Sequence, residues 1–542
     1  MGTIANNPIL SGFYPDPSIC AVGEDFYLIS STFAYFPGIP VMHSKDLAHW
    51  EQAGNVLTRN SQLPLENAGH SQGIFAPTIR YHEGVYYVIC TNVSHGGNFI
   101  VTATKPEGPW SEPVYIKGAE GIDPSLFFDE DGRCYYIGTH PNPSGVKYNG
   151  DWFIWIQELD LETFQLIGEP KDVWNGAMKN IIWPEGPHIY KRNGYYYIMN
   201  AEGGTGPHHA VTVCRSKSIW GPYENNFCNP IITHRHLGKD YPVKYVGHAD
   251  LVETVHGDWY MVMLAVRPEN GFTTMGRETF LAEVIWEDDW PVVNPGKGIL
   301  TEQLEVKLNE WNPLEDQNSY TYKNGRKELL IDKQNHYDFA NMDQLGDEWL
   351  TLRNADEGQF ELIKGKGLVL HGNEHTLKEQ ENEAYIGIRQ RHHKCRMEAV
   401  LDLSDVQEND VTGVALLQSN EYHARVELSK KAEMSEGTYS LQARVIICKQ
   451  SEDEIISEDY FTINVPEQKV TLGLEIANLQ LNCKLQIGDE TTVLAEKIDI
   501  HALSTEVAGG FVGETLGVYV SAKQGEKKSS VCIKEFSYEE IA

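Results

Sequence analysis

Short stretches in which apolar and polar residues alternate, broken by Gly, Pro, Asn and Asp, recur along nearly the whole of the 542 residues. Period-two alternation sends every second side chain to one face of a strand, so the pattern predicts an all-β protein without a long helix. In the first three hundred residues the alternating unit is itself repeated. Residues 14–32, 75–91, 122–139, 184–200 and 247–265 each give a short strand, a turn carrying Gly beside an acidic residue or Asn, and a second strand rich in aromatic and apolar residues. Behind four of them comes a further strand and a polar-aromatic turn, such as Ser44–Trp50 or Lys105–Trp110, and Trp286–Trp290 stands in that place behind the fifth. Five repeats of roughly 45 to 65 residues, with about four strands each, are what the blades of a five-bladed β-propeller require.

After Pro295-Gly296 the repeat stops, and the residues near 312–335 are polar and linker-like. Alternating runs then resume, among them 395–403, 423–428, 440–447 and 469–476. These predict a β-sandwich. The expected organisation is a propeller over 1–312, a linker over 313–335 and a β-sandwich over 336–542.

Composition narrows the function. Forty-four basic residues against seventy-seven acidic ones leave a formal charge of −33, which repels nucleic acid and anionic lipid. Neutral polar substrates fit such a surface better than phosphates. Nine cysteines without a CxxC pair are expected to be reduced core residues. The N-terminus has no basic start and no apolar segment, and nowhere do 18 uncharged apolar residues run together, so a cytoplasmic protein with no membrane partner is expected.

In a propeller the innermost strand of each blade starts near the central channel. The five starts carry Asp16, Phe75-Ala76, Asp123, Glu185 and His248. Three carboxylates from three blades therefore face one axial pocket, and like charges in a partly desolvated cleft force at least one pKa upward. That arrangement holds an acid and a base together near neutral pH.

With these residues in hand the chain resembles glycoside hydrolase family 43, in particular its two-domain β-xylosidase and α-L-arabinofuranosidase members. The resemblance rests on Asn7–Ser18, Gly121–Leu126, Trp183–Pro187, Gly247–Asp250 and Gly276–Thr279, and it covers essentially the whole chain. It implies that Asp16 is the general base, Glu185 the general acid, and Asp123 the carboxylate that orients the acid and tunes it. It also implies inversion at the anomeric carbon, for which the two carboxyl groups stand roughly 6.5 to 9.5 Å apart. No redox or organic cofactor is required. His248 would lie beneath the pocket, either near a structural Ca2+ held largely through water or bonded to buried water.

Blade topology returns the loops between second and third strands to the same face, including 33–36, Glu202 to Thr205 and 267–277. Thr205 is a candidate substrate contact there. The resemblance makes Phe33 an apolar wall for the terminal sugar and gives an Arg of the last blade to its hydroxyls, with Arg277 preferred to Arg267. Phe75 stands where the best-known β-xylosidase relatives carry Trp, which leaves the sugar preference open while keeping an aromatic platform. In the two-domain relatives the sandwich sends a loop to close the pocket. Residues 507–517 match it, with Phe511 at the tip. A capped pocket admits a chain end only. The expected function is release of terminal β-1,4-linked D-xylose from xylo-oligosaccharides, with α-L-arabinofuranose from arabinoxylo-oligosaccharides as a second activity. The alternatives are a predominant arabinofuranosidase, an endo-acting arabinanase and a non-catalytic sugar-binding propeller. A homo-oligomer of two or four copies is the implied assembly.

Overall fold

The computed structural model describes residues 2–326, 334–435, 437–464, 468–523 and 529–542. Five four-stranded antiparallel sheets follow one another along the first part of the chain. Blade one is Ser18–Val22, Asp25–Ile29, Gly38–Ser44 and Glu51–Leu57, and blade two is Thr78–His82, Val85–Asn92, Gly97–Ala103 and Val114–Tyr115. Blade three is Ile122–Phe128, Cys134–Pro141, Trp152–Asp160 and Gln165–Trp174. Blade four is Glu185–Arg192, Tyr195–Glu202, Ala210–Ser216 and Glu224–Asn225, and blade five is Lys244–Glu253, Trp259–Val266, Glu278–Glu287 and Trp290–Val293. The protein is a five-bladed propeller followed by a β-sandwich.

The ring is closed by its own ends. Thr3–Asn6 pairs antiparallel with Gln303–Val306, and the Asn7 side chain bonds both the N–H and the carbonyl of Leu281 in blade five. The two segments form a two-stranded sheet of their own, and the Asn7 bonds together with the Leu10–Thr279 bridge tie the start of the chain to blade five.

The sandwich packs an eight-stranded antiparallel sheet against a six-stranded one. Its core joins residues of both sheets, with Met397, Leu401, Leu472, Leu474 and Phe536 from the first facing Val414, Leu416, Val426 and Val518 from the second. The sandwich begins at Gln334–Asp338, a strand that pairs with Ser530–Glu540. Of the stretch expected to be a linker, 313–335, residues 327–333 lie outside the described residues. Its first part, 313–326, lies along blade one, where the buried Glu51 carboxylate accepts the backbone N–H groups of Tyr320 and Thr321. All nine cysteines are free, and only Cys228 is exposed.

Two features of the innermost strands build the site. Asp16, Asp123 and His248 hold left-handed backbone conformations, with φ of 52°, 54° and 47°, and Gly186 matches them at 58°. Asp, Asn and His tolerate this region better than other residues, and a following Pro disfavours the right-handed helical alternative at Asp16 and Asp123. In blade four the equivalent place is thus Gly186, and Glu185 stands one residue earlier. A side chain at 186 would meet His248, whose Cε1 lies 2.8 Å from the position of a Cβ.

The second feature is a polar floor two to four residues further along the innermost strands. Asp250 accepts from Ser18 at 2.7 Å, from Arg80 at 2.8 Å and from Tyr190 at 2.6 Å. Arg80 also bonds His188 at 3.0 Å. This network fills the channel beneath the carboxylates.

Candidate active site

The three sequence-placed carboxylates come together in one cavity of about 610 Å³ on the axis. Asp16 is buried and fully engaged. Its Oδ1 accepts from Arg277 Nη1 at 2.7 Å, and its Oδ2 accepts from Ser31 Oγ at 2.7 Å and Arg277 Nη2 at 3.3 Å. Burial alone would raise its pKa, but Arg277, His248 and the Ser31 hydroxyl outweigh burial and hold it below the usual aspartate range. Asp16 is therefore ionised at neutral pH.

Asp123 accepts the Gly186 N–H at 3.0 Å, so its carboxylate is fixed against the backbone next to Glu185. Burial, only partly countered by His248, pushes its pKa up to about 6. Glu185 is half-buried at the cavity wall. Burial first, and then the charges of Asp123 and Asp16, push its carboxyl well above the ordinary glutamate range. One carboxylate ready to accept a proton and one carboxylic acid ready to donate are what hydrolysis of an acetal needs.

Aromatic rings make up much of the wall. Phe33, buried and at φ 49°, stacks against Phe511 of the sandwich with ring centroids 5.9 Å apart, and Phe75 meets both rings edge-on. Arg277 lies 5.6 Å from the Phe33 ring and 5.4 Å from the Phe511 ring. Such faces receive the C–H surface of a sugar. Arg277 Nε and Thr205 Oγ1 are buried cavity-wall atoms that find no partner among the described residues. Both side chains belong to the cavity lining, a place suited to polar contact with a ligand.

Phe511 is set by close backbone contacts. Its N–H donates to Ser71 Oγ at 2.8 Å, and a Cβ on Gly276 would lie 2.7 Å from the Gly513 nitrogen. Glu514 N–H donates to Thr274 O, and Glu506 accepts from both the N–H and the hydroxyl of Thr273. The sandwich loop and the loop bearing Arg277 are thus held as one unit.

Arg267 does not line the cavity, which corrects its placement as a substrate contact. Its guanidinium binds the buried Glu278 twice, at 2.7 Å to each oxygen, and Ser11 at 3.0 Å. Arg267 is the charge partner of this buried carboxylate. Sequence reasoning missed Trp152 and Ile182 and gave Trp183 no wall position, although all three line the cavity. Trp152 opens a third strand just after a top-face loop, a position that could have been recognised; Ile182 and Trp183 depend on the path between blades.

His248 lines the cavity below the carboxylates, with Nδ1 3.9 Å from Asp16 Oδ1. Calcium takes about six to eight oxygen ligands. Here an ion would meet one imidazole and one carboxylate already taken by Arg277 and Ser31, so these residues do not form a direct calcium shell. Among the described residues one other group has metal-type spacing, His423, Cys448 and Asp453 in the sandwich. Arg425 occupies that centre, bonding His423 at 2.9 Å and Asp453 at 2.9 and 3.1 Å.

Comparison with known proteins agrees with this geometry. The sequence model of glycosyl hydrolases family 43 matches residues 5–291, and that of the beta xylosidase C-terminal concanavalin A-like domain matches 336–539. A xylosidase/arabinosidase of Butyrivibrio fibrisolvens is 47% identical over 539 residues, covering 99% of this chain and 98% of that protein. A non-reducing end alpha-L-arabinofuranosidase of Bacteroides ovatus is 35% identical over 524 residues, covering 95% of this chain and 91% of that one. The crystal structure of a xylan beta-1,4-xylosidase from Bacillus halodurans superposes with a TM-score of 0.85 at 31% identity, over 99% of this chain and 100% of the other.

Proposed function

The chain belongs to glycosyl hydrolases family 43, and from that premise we propose that it is an inverting exo-glycosidase releasing terminal β-1,4-linked D-xylose from xylo-oligosaccharides, and α-L-arabinofuranose from decorated ones. The observation that carries this reading is that two carboxyl groups lining one cavity are displaced in opposite directions, Asp16 held low by Arg277 and Glu185 held high by burial. Asp16 takes a proton from a water that attacks the anomeric carbon. Glu185 gives its proton to the departing glycosidic oxygen, and Asp123 keeps Glu185 protonated and anchors the neighbouring backbone. Arg277 and Thr205 bind hydroxyls of the terminal sugar against Phe33, Phe75 and Phe511. Proton transfer between carboxyl groups and water needs no organic or redox cofactor, and an ion near His248 would be held through water. A cytoplasmic location and an assembly of two or four copies complete the reading, the latter measurable by light scattering.

Proton NMR of xylobiose hydrolysis tests it directly. Fresh α-xylose in the first minutes supports inversion by a β-xylosidase, whereas arabinose release alone from a decorated oligosaccharide moves the activity to arabinofuranosidase. Glu185→Ala should lower turnover of xylobiose by about 10²- to 10⁴-fold and spare, in part, aryl xylosides whose leaving group needs no proton. Equal loss on both substrates removes Glu185 from the acid role.

A further inference from the structure

Radially outside the axial pocket lies a second cavity, of about 340 Å³, between the 142–151 loop of blade three and the 175–180 connection to blade four. Both segments lie on the face where the innermost strands begin. The two cavities share a wall. Asp151 and Phe153 line the outer one while Trp152 between them lines the inner one, as alternation along an extended segment requires. Likewise Asn180 lines the outer cavity, and Ile182 and Trp183 the inner.

The rest of the rim decides which way a leaving group can go. The sandwich loop sits on Ser71, between blades one and two, and on Gly276 of blade five, so that side is closed. A saccharide held by its terminal sugar leaves over blades three and four, across Trp152 and Ile182. The outer cavity lies on that path.

Its chemistry differs from that of the inner pocket. Lys147 and Lys179 line it, both exposed and neither with a carboxylate partner among the described residues. The one acid in its lining, Asp151, is turned onto the Asn142 amide and the Lys147 backbone N–H, each at 3.0 Å. Asn175, Asn180 and Tyr148 complete a polar lining. In a chain with 77 acidic and 44 basic residues, two lysines against one carboxylate at one cavity form a local reversal of sign.

We propose that this outer cavity receives an acidic sugar branch, a uronosyl substituent carried by the leaving-group portion of a xylo-oligosaccharide. The inference rests on the glycosidase reading above. Two ammonium groups attract the carboxylate, the amides and the phenol ring receive the branch's hydroxyls and apolar face, and the attraction weakens with salt because the lysines are exposed.

Three substrates test it with the full-length protein: xylotriose, a xylo-oligosaccharide with a glucuronosyl branch on the leaving-group side, and the methyl ester of that branched compound. The unmodified protein should favour the acid over its ester in kcat/KM by about five- to tenfold at low ionic strength. The preference should shrink in high salt. The double variant Lys147→Ala/Lys179→Ala should lose it while hydrolysing xylotriose as before. No preference in the unmodified protein, or one that survives in the double variant, overturns the proposal. Titrating the acid and its ester into Glu185→Gln protein, with and without the two lysine substitutions, reads the same preference without turnover. Failure to hydrolyse xylotriose would therefore count against the glycosidase reading, and the binding arms would still decide the fate of the cavity.

Discussion

Asp16 and Glu185 are chemically similar acids whose neighbours move them in opposite directions, and this sets both limbs of the pH–rate profile. On the proposed mechanism Asp16 must be ionised, so the rate should rise as pH climbs through its depressed pKa. Glu185 must be protonated, so the rate should fall as pH climbs through its elevated one. Replacing Arg277 by Ala removes the largest favourable charge on Asp16 and raises its pKa, so the acid limb should move to higher pH. Loss of the charge-assisted bonds should also cut kcat/KM by about 10- to 100-fold. Asp123→Asn removes a negative neighbour of Glu185 and lowers its pKa, so the alkaline limb should move to lower pH. Both substitutions narrow the bell, from opposite sides. A profile of kcat/KM on xylobiose between pH 4 and 9 checks the two shifts, and an unmoved limb would remove the corresponding residue from its tuning role.

At the scale of elements, the loop that closes the pocket depends on two backbones in contact. Gly276 has φ 70° and no room for a Cβ against Gly513, and a Cβ on Gly513 would in turn lie 2.3 Å from Met275 O. Gly276→Ala should force the loops apart, costing about 1–2 kcal/mol from the left-handed backbone alone. It should raise KM more than it lowers kcat, because Phe511 and Arg277 move while Asp123 and Glu185 stay on their own strands. Steady-state kinetics beside thermal melting separates these effects. The blades and the three carboxylates were legible in the sequence because they repeat: Asp16, Asp123 and His248 share one strained position in equivalent turns. Glu185 breaks that register by one residue, and only the His248 ring against Gly186 explains why. Phe511 and Arg277 were legible through resemblance. Arg267 was misplaced because alternation cannot show that Glu278, on the neighbouring strand, is buried and needs its charge. Ile182 and the outer cavity come from the path between blades three and four, which no local periodicity encodes.

At the scale of the whole molecule, the propeller and sandwich share a core. Phe13, Phe33, Tyr35, Leu63 and Leu65 of the first pack in one cluster with Leu350, Leu352, Tyr385, Leu417 and Tyr519 of the second. Thr351–Leu352 also pairs as a strand with Tyr35–Phe36. At the centre stands Arg353, 1% exposed, which donates to Ala68 O at 2.7 Å, to Glu383 at 3.1 Å and to Asn420 at 2.9 Å. Burial pushes the Glu383 carboxyl up to about 8 despite the guanidinium beside it. Removing the guanidinium leaves the buried Ala68 carbonyl, Glu383 and Asn420 without their donor, and an unsatisfied buried polar group typically costs about 1–3 kcal/mol. Arg353→Ala should therefore lower the melting temperature. It should also weaken activity at a distance, because Ala68 leads through His70 into Ser71, the seat of Phe511. A shared core further requires the two parts to melt together. Calorimetry should show one transition, and near-ultraviolet dichroism should coincide with loss of activity along it. Two separate transitions, with activity surviving the first, would mean that the sandwich is an appendage and that the pocket belongs to the propeller alone.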